Sequence, residues 1–380
     1  MNILIWGTFG SDKPRNQVLL SGLKESKHLV EVCHHSVWEN VGDKSQVRSL
    51  VYIAKIALRY LCAYPILVYR YLFRTKPHDV ILIGYMGVFD VLVLWPFARL
   101  FRKPIVLDAF LSIYDTTVVD RRLLKPSQFF AKLLYFVERL AYKAADLVVI
   151  DTDQHREYLV DLFKLDELHV CRSFVGACNH FFHERILRAP EKDEPIKVIF
   201  YGTFVPLQGV SFILEAAKLT PPELAHWWII GKGQDSAQLD ARFSQEQLPN
   251  VTRIKWLSED DLRKLMEDSD VALGIFGNTA KASRVIPIKF FESFALGLPL
   301  ITMDSPAIRE LIPEACEGLW FIPPANPQAL SDAVVEASKS LRDLQNTVLY
   351  GSLKNEALPK TIALDLVKTI EDRVLNTKEL

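Results

Sequence analysis

Apolar residues along this chain fall into two kinds of run that alternate. Short runs of Val, Ile and Leu read as strands at 2–6, 29–33, 79–84, 104–108, 146–150 and 168–172. Between them lie longer stretches with helical spacing. Residues 126–145 are the clearest of these: Phe129, Phe130, Leu133, Leu134, Val137 and Leu140 recur every three or four positions. That spacing predicts an amphipathic helix with this stripe buried. After a polar, proline-bearing stretch at 183–195 the alternation restarts, with strands at 196–202, 225–231, 251–256, 270–276, 299–303 and 319–322. Strands this uniformly apolar are covered on both faces, as in parallel sheets with crossover helices. The pattern predicts an α/β chain of two tandem doubly wound, Rossmann-like parallel-sheet domains, 1–183 and 195–358, with 183–195 as linker. A last helix at 362–376, within 360–380, is expected to pack back on the first domain. Two such units facing a cleft would bind ligands at the carboxyl ends of their strands.

Composition sharpens this picture at two points. At 380 residues and 49% hydrophobic content the chain is long enough for two cores. The near-neutral total hides an asymmetry: residues 1–150 carry 20 Lys and Arg against 12 Asp and Glu, whereas the remainder carries 25 against 34. A basic front half suits an acidic partner surface, either phosphate groups or anionic lipid. Residues 51–74 are apolar and aromatic but interrupted by Lys55, Arg59, Arg70 and Arg74. A spanning helix tolerates few charges, so two readings stand: a helix lying on an anionic membrane face, or a core helix with snorkelling cations. Further cations at Arg99, Arg102 and Lys103 favour the first. The five cysteines lack paired spacing and read as reduced thiols. The N-terminus opens directly on a strand without a signal-like segment, so the expected location is cytoplasmic, peripheral on the membrane's inner face.

Candidate chemistry lies in the turns after strands. Gly7, Thr8 and Gly10 follow the first strand. Gly202, Thr203, Gln208 and Gly209 follow the first strand of the second domain. Such turns present backbone N–H groups at a helix N-terminus, where anions bind. Neither turn matches the GxGxxG or P-loop pattern. The stretch Lys281–Thr302, KASRVIPIKFFESFALGLPLIT, places Lys281, Arg284 and Lys289 ahead of or within the first turn of a helix expected from about Pro287 to Leu296. Cations there oppose the helix dipole unless an anion, such as a diphosphate, sits among them. Glu292, one turn on, could reach a hydroxyl beside that phosphate, such as one on a ribose. Its neighbours Phe290, Phe291 and Phe294 are expected to be buried.

With YGTFVPLQGVSFILEAAKL, WWIIGKGQ, VIPIKFFESFALGLPLIT and SPAIRELI in this order, the chain resembles the GT-B fold glycosyltransferases, most closely the large family-four group that uses nucleotide sugars. The resemblance implies a C-terminal domain holding the sugar nucleotide, an N-terminal domain holding the acceptor, and transfer between them. It assigns Glu292 to the second Glu of the family's Glu-x7-Glu motif, which contacts the ribose. The first Glu of that motif falls at Arg284. The family's two phosphate-binding cations fall at Thr203 and Gln208, so phosphate binding is expected to have moved to Lys281, Arg284 and Lys289.

In the front half, Asp108 ends a predicted strand. It could serve as general base towards an acceptor hydroxyl, or cap the following turn; Asp115 is the second choice. His28, His34, His35, His180 and His183 show no metal-binding spacing and read as structural. The function expected is transfer of a sugar from a nucleotide-sugar donor to a hydroxyl of a lipid-linked or polysaccharide acceptor. No metal, other cofactor or nucleic acid is called for. A nucleotide-sugar epimerase of the same fold and a non-catalytic sugar-nucleotide-binding scaffold are the alternatives.

Overall fold

The computed structural model describes residues 1–37, 50–187, 194–246 and 248–376. The chain forms two compact units, Met1–Gly176 with Leu358–Leu380, and Ala177–Ala357. The division falls at 176/177, ahead of the stretch read as linker, of which residues 188–193 lie outside the described residues.

The first unit runs β1 (Asn2–Gly7), α1 (Pro14–Glu25), β2 (Leu29–His34), α2 (Leu50–Phe73), β3 (Val80–Ile83) and α3 (Val88–Leu100). It continues with β4 (Ile105–Phe110), α4 (Phe129–Ala144), β5 (Leu147–Ile150), α5 (Asp153–Phe163) and β6 (Val170–Arg172). Among the described residues the strands form one parallel sheet in the order β2-β1-β3-β4-β5-β6. Right-handed crossovers then place α1 on one face and α2 to α5 on the other. Ring contacts agree: Tyr60 of α2 lies 6.2 Å from Phe89 of α3, and Tyr135 of α4 stacks 5.1 Å from Phe163 of α5. Ile3, Leu4, Ile81, Val106 and Val148 are buried, as strands covered on both faces require.

The helix read at 126–145 forms as α4, but its predicted inner stripe is outside. Phe129 is 72% exposed and Phe130 69%; Leu133 and Leu140 are also exposed, while Leu134 and Val137 are half-buried. The inward face instead holds Ala131, Glu138, Ala141 and Tyr142. Glu138 draws it in. Its carboxylate accepts hydrogen bonds from the backbone N–H of Ile113 (2.7 Å) and Tyr114 (2.8 Å) and from the hydroxyls of Ser112 (3.0 Å) and Tyr142 (2.6 Å). A buried carboxylate needs such partners, and small Ala residues let the helix approach the sheet. Segment 51–74 forms α2, which buries Ala63, Leu67 and Tyr71 against the unit and leaves Leu58, Leu61, Tyr69 and Phe73 exposed. Among the described residues no helix is long and apolar enough to cross a membrane.

The second unit repeats the scheme. Its elements are β7 (Ile196–Tyr201), α6 (Val210–Leu219), β8 (Ala225–Ile230), α7 (Ser236–Glu246), β9 (Val251–Ile254) and α8 (Glu259–Glu267). Then follow β10 (Val271–Leu273), α9 (Ile288–Leu296), β11 (Leu300–Met303), α10 (Pro306–Leu311), β12 (Leu319–Ile322) and α11 (Pro327–Asp343). The parallel order is β12-β11-β10-β7-β8-β9. The core packs Phe200, Trp227, Ile229, Leu273 and Ile301 with Ile213 and Leu214 of α6 and Val334 of α11.

The last helix, α12 (Pro359–Ile370), continues as a π-helical turn, Glu371–Leu375, and packs on α1 within the first unit. Gly22 makes this approach possible, because a Cβ there would lie 1.9 Å from the Pro359 carbonyl oxygen.

Candidate functional site

In the second sheet the strand order reverses between β10 and β7. Segments leaving the carboxyl ends of two such strands diverge, and open α/β sheets bind ligands in the gap. From β7 the chain enters the turn Gly202–Gly209 and then α6. From β10 it runs through 274–287 into α9.

Helix α9 starts after Pro287 and ends at Gly297, whose φ of 72° is the left-handed cap conformation. Its apolar residues Phe290, Phe291 and Phe294 are fully buried, as expected from the pattern. No side chain caps its N-terminus and no acidic residue lies in its first turn. Lys289 does, and it is only 5% exposed. Its Nζ donates to Gln208 Oε1 at 2.5 Å and stands 3.7 Å above the Phe200 ring. A Cβ at Gly202, where φ is 146°, would come 3.1 Å from Lys289 Nζ. So the cation from α9 ends beside the glycine turn, next to the glutamine that stands where the resemblance places a family cation.

One turn on, Glu292 is half-buried, and its Oε2 accepts a 2.7 Å hydrogen bond from the Tyr201 hydroxyl at the end of β7. Burial pushes the Glu292 carboxyl up to about 7; the Tyr201 hydrogen bond opposes this, Glu259 adds to it, and Lys289 opposes it. Burial also holds Lys289 well below the usual lysine range, with Glu292 in partial opposition. Among the described residues no carboxylate lies within ion-pair distance of Lys289. A buried lysine held below its usual range, beside uncapped helix N–H groups, can take an anion from solution together with a proton.

Structure brings Gly202, Gln208, Lys289 and Glu292 together. Thr203 is half-buried in the same turn, and Gly209 starts α6. Lys281 is buried and Arg284 half-buried in the turn 279–284, between β10 and α9. Tyr201 was not picked out from sequence; its place as the last residue of β7, just ahead of the glycine turn, was the available signal.

The first unit requires corrections. Asp108 does not face open space. It is fully buried and grips Arg15, itself 1% exposed, through Nε to Oδ2 at 2.9 Å and Nη2 to Oδ1 at 2.9 Å. Nη1 of Arg15 continues to the carbonyls of Ser173 and Phe174. Burial raises the Asp108 carboxyl and the guanidinium opposes it. Asp115 is also fully buried, at the start of a π-helical turn, Asp115–Asp120, where its N–H donates to Ser112 Oγ. A general base must reach the proton it takes, and neither carboxylate is accessible.

The turn at Gly7, Thr8 and Gly10 is tied down internally. Asp90 of α3 accepts from the Thr8 N–H (2.8 Å) and hydroxyl (2.9 Å), while the Gly10 carbonyl accepts from Asn16 Nδ2 (2.8 Å). Asp90 went unnoticed in sequence, although a lone carboxylate inside VFDVLVLW is a signal of a buried partner. So did the buried pair of Asp151 and His155, 2.7 Å apart across one turn.

Residues 195–340 match the family described as Glycosyl transferases group 1. The chain is 25% identical over 264 residues to chitobiosyldiphosphodolichol beta-mannosyltransferase of Candida albicans, covering 64% of this chain and 56% of that one. It is 23% identical over 167 residues to the amylovoran biosynthesis glycosyltransferase AmsK of Erwinia amylovora, covering 43% and 41%. The chain thus spans about half the length of the curated relatives it matches. Among solved structures, Anabaena Alr3699/HepE in complex with UDP aligns over 98% of this chain and 99% of its own, with a TM-score of 0.64 at 15% identity. That likeness extends to the fold.

Proposed function

We propose, from the premise that residues 195–340 are a group 1 glycosyl transferase domain within a GT-B fold, that the chain moves a sugar from a nucleotide-sugar donor to a hydroxyl. In this reading the second unit holds the donor and the first unit a lipid-linked or saccharide acceptor. Lys289 and the first N–H groups of α9 face the donor diphosphate, with Lys281 and Arg284 adding charge from the preceding turn. Glu292 accepts a hydrogen bond from a ribose hydroxyl. As the sugar leaves, negative charge grows on the departing diphosphate. Fixed donors already aimed at it lower the barrier without reorganising.

The observation that carries this reading is the buried Lys289 Nζ beside Gly202 and Gln208. An anion bound there supplies the counter-charge that burial withholds, so binding should draw a proton onto Lys289. Two likenesses support it. The Anabaena structure holds UDP, a nucleoside diphosphate. The two relatives' names point to a diphosphodolichol-linked sugar and to amylovoran biosynthesis, which suits a lipid-linked or polysaccharide acceptor. The same reading places the chain at the cytoplasmic face of a membrane, with α2 towards it.

Incubating the protein with a panel of nucleotide sugars and following slow hydrolysis tests the proposal. Release of nucleoside diphosphate and free sugar is expected. A sugar of changed configuration still on its nucleotide would make the chain an epimerase, and binding without turnover a scaffold; either overturns transfer.

A further inference from the structure

Helices α2, α3 and α4 lie side by side on one face of the first sheet, and each exposes large apolar side chains. Leu61 (71% exposed), Tyr69 and Phe73 stand out from α2, and Phe89 and Trp95 from α3. Phe129, Phe130, Leu133 and Phe136 stand out from α4, the last 59% exposed. Surfaces of this kind on a soluble face mark an interaction site.

Charge says what covers it. The three helices hold two carboxylates, Asp90 and Glu138, and both are turned inward and buried. Of their seven cations, Lys55, Arg70, Arg99, Lys132 and Lys143 are exposed, while Arg59 and Arg139 are half-buried and donate to the carbonyls of Val37 and Phe163. Helices that follow parallel strands run antiparallel to them. Arg70 and Lys143, in the last turns of α2 and α4, therefore border one end of the apolar field, with Arg99 of α3 between them ion-paired to Asp146 at 2.9 Å. Lys55 lies towards the other end, with Lys125 just ahead of α4. A second copy of this face would bring cations against cations, and a self-complementary contact needs the reverse. An apolar field between basic borders matches a bilayer surface with anionic headgroups, where rings and aliphatic chains enter the interface and Lys and Arg meet the phosphates.

We propose that the α2–α3–α4 face is a docking surface for an anionic lipid bilayer, with the Phe129–Phe136 stretch of α4 as its inserting part. This deepens the reading that places α2 at a membrane, and it rests on that reading for its biological setting.

The test uses the full chain with vesicles of phosphatidylcholine and phosphatidylserine, and of phosphatidylcholine alone. Co-sedimentation with the anionic vesicles is expected, weakened by salt, with a blue shift of fluorescence that is lost in Trp95→Phe. Substituting Phe129, Phe130 and Phe136 by Ser should release the protein. Replacing Arg70, Lys132 and Lys143 by Gln should weaken binding on the order of 100-fold, at about 1 kcal/mol for each cation near the surface. Both variants alter exposed residues and should bind a nucleoside diphosphate as the wild type does. That separates failure here from failure of the donor site. Wild type left in the supernatant, or equal sedimentation of wild type and the Phe variant, overturns the proposal. So does a wild-type dimer, seen by ultracentrifugation, that the Phe variant dissolves.

Discussion

Replacing Glu292 by Gln keeps the shape of the side chain and an acceptor for the Tyr201 hydroxyl, but removes one titration. In the folded chain the Glu292 carboxyl titrates at about 7, against 4.5 for an ordinary glutamate. Between those values the folded chain keeps a proton that the unfolded chain has lost. The group's contribution to stability is therefore fully present below about pH 4.5 and is lost as pH rises through about 7. The shift from 4.5 to about 7, at about 1.4 kcal/mol per unit, amounts to about 3 kcal/mol at most, because Glu292 is only half-buried. The Gln variant has no such loss. Urea unfolding of both proteins at about pH 5 and about pH 8, followed by tryptophan fluorescence, isolates this one group by difference. Wild type should lose about 2–3 kcal/mol relative to the variant across that interval. Parallel pH profiles would show that Glu292 is not held in a desolvated site, and the electrostatic account of the α9 turn would fall with it.

Three further outcomes follow from the packing. Arg15→Ala strands the fully buried Asp108 carboxylate and should destabilise the first unit by about 3–5 kcal/mol; Asp108→Asn in the same chain should recover part of this, and an unchanged unfolding midpoint would contradict the pair's role. Gly22→Ala places a Cβ 1.9 Å from the Pro359 carbonyl and should cost about 1–3 kcal/mol as α12 is pushed off α1; limited proteolysis should then clip the C-terminal segment sooner than in wild type. Gly202→Ala sets a methyl group against Lys289 Nζ at a backbone φ of 146° and should weaken nucleoside diphosphate binding by about 1–3 kcal/mol, measurable by calorimetry.

Every strand read from the apolar runs forms, with ends displaced by three residues or fewer, as at 270–276 against Val271–Leu273. Strands buried on both faces write their length directly into composition. The stripe on α4 was legible as a stripe but not by its side. Periodicity reports that apolar residues share a face, and cannot tell that Glu138 would pull the opposite face inward to meet the amides of Ile113 and Tyr114. Asp108 failed as a base for a related reason. Its partner, Arg15, is 93 residues away in sequence, and only the fold joins them. In the second unit the glycine turn and the cation-led helix were visible as separate motifs. That Lys289, rather than a residue of the turn itself, lies against Gln208 is a property of the β7–β10 reversal, which no local pattern contains.

The central claim is that Lys289 faces a diphosphate. Titrating wild type and Lys289→Met with a nucleoside, its monophosphate and its diphosphate, with circular dichroism confirming the fold, tests it most directly. The loss on substitution should be near zero for the nucleoside and grow with each phosphate, reaching about 1.5–3 kcal/mol for the diphosphate, the range for a hydrogen bond to a charged group. A loss of the same size for all three ligands, or none for the diphosphate, would contradict the account.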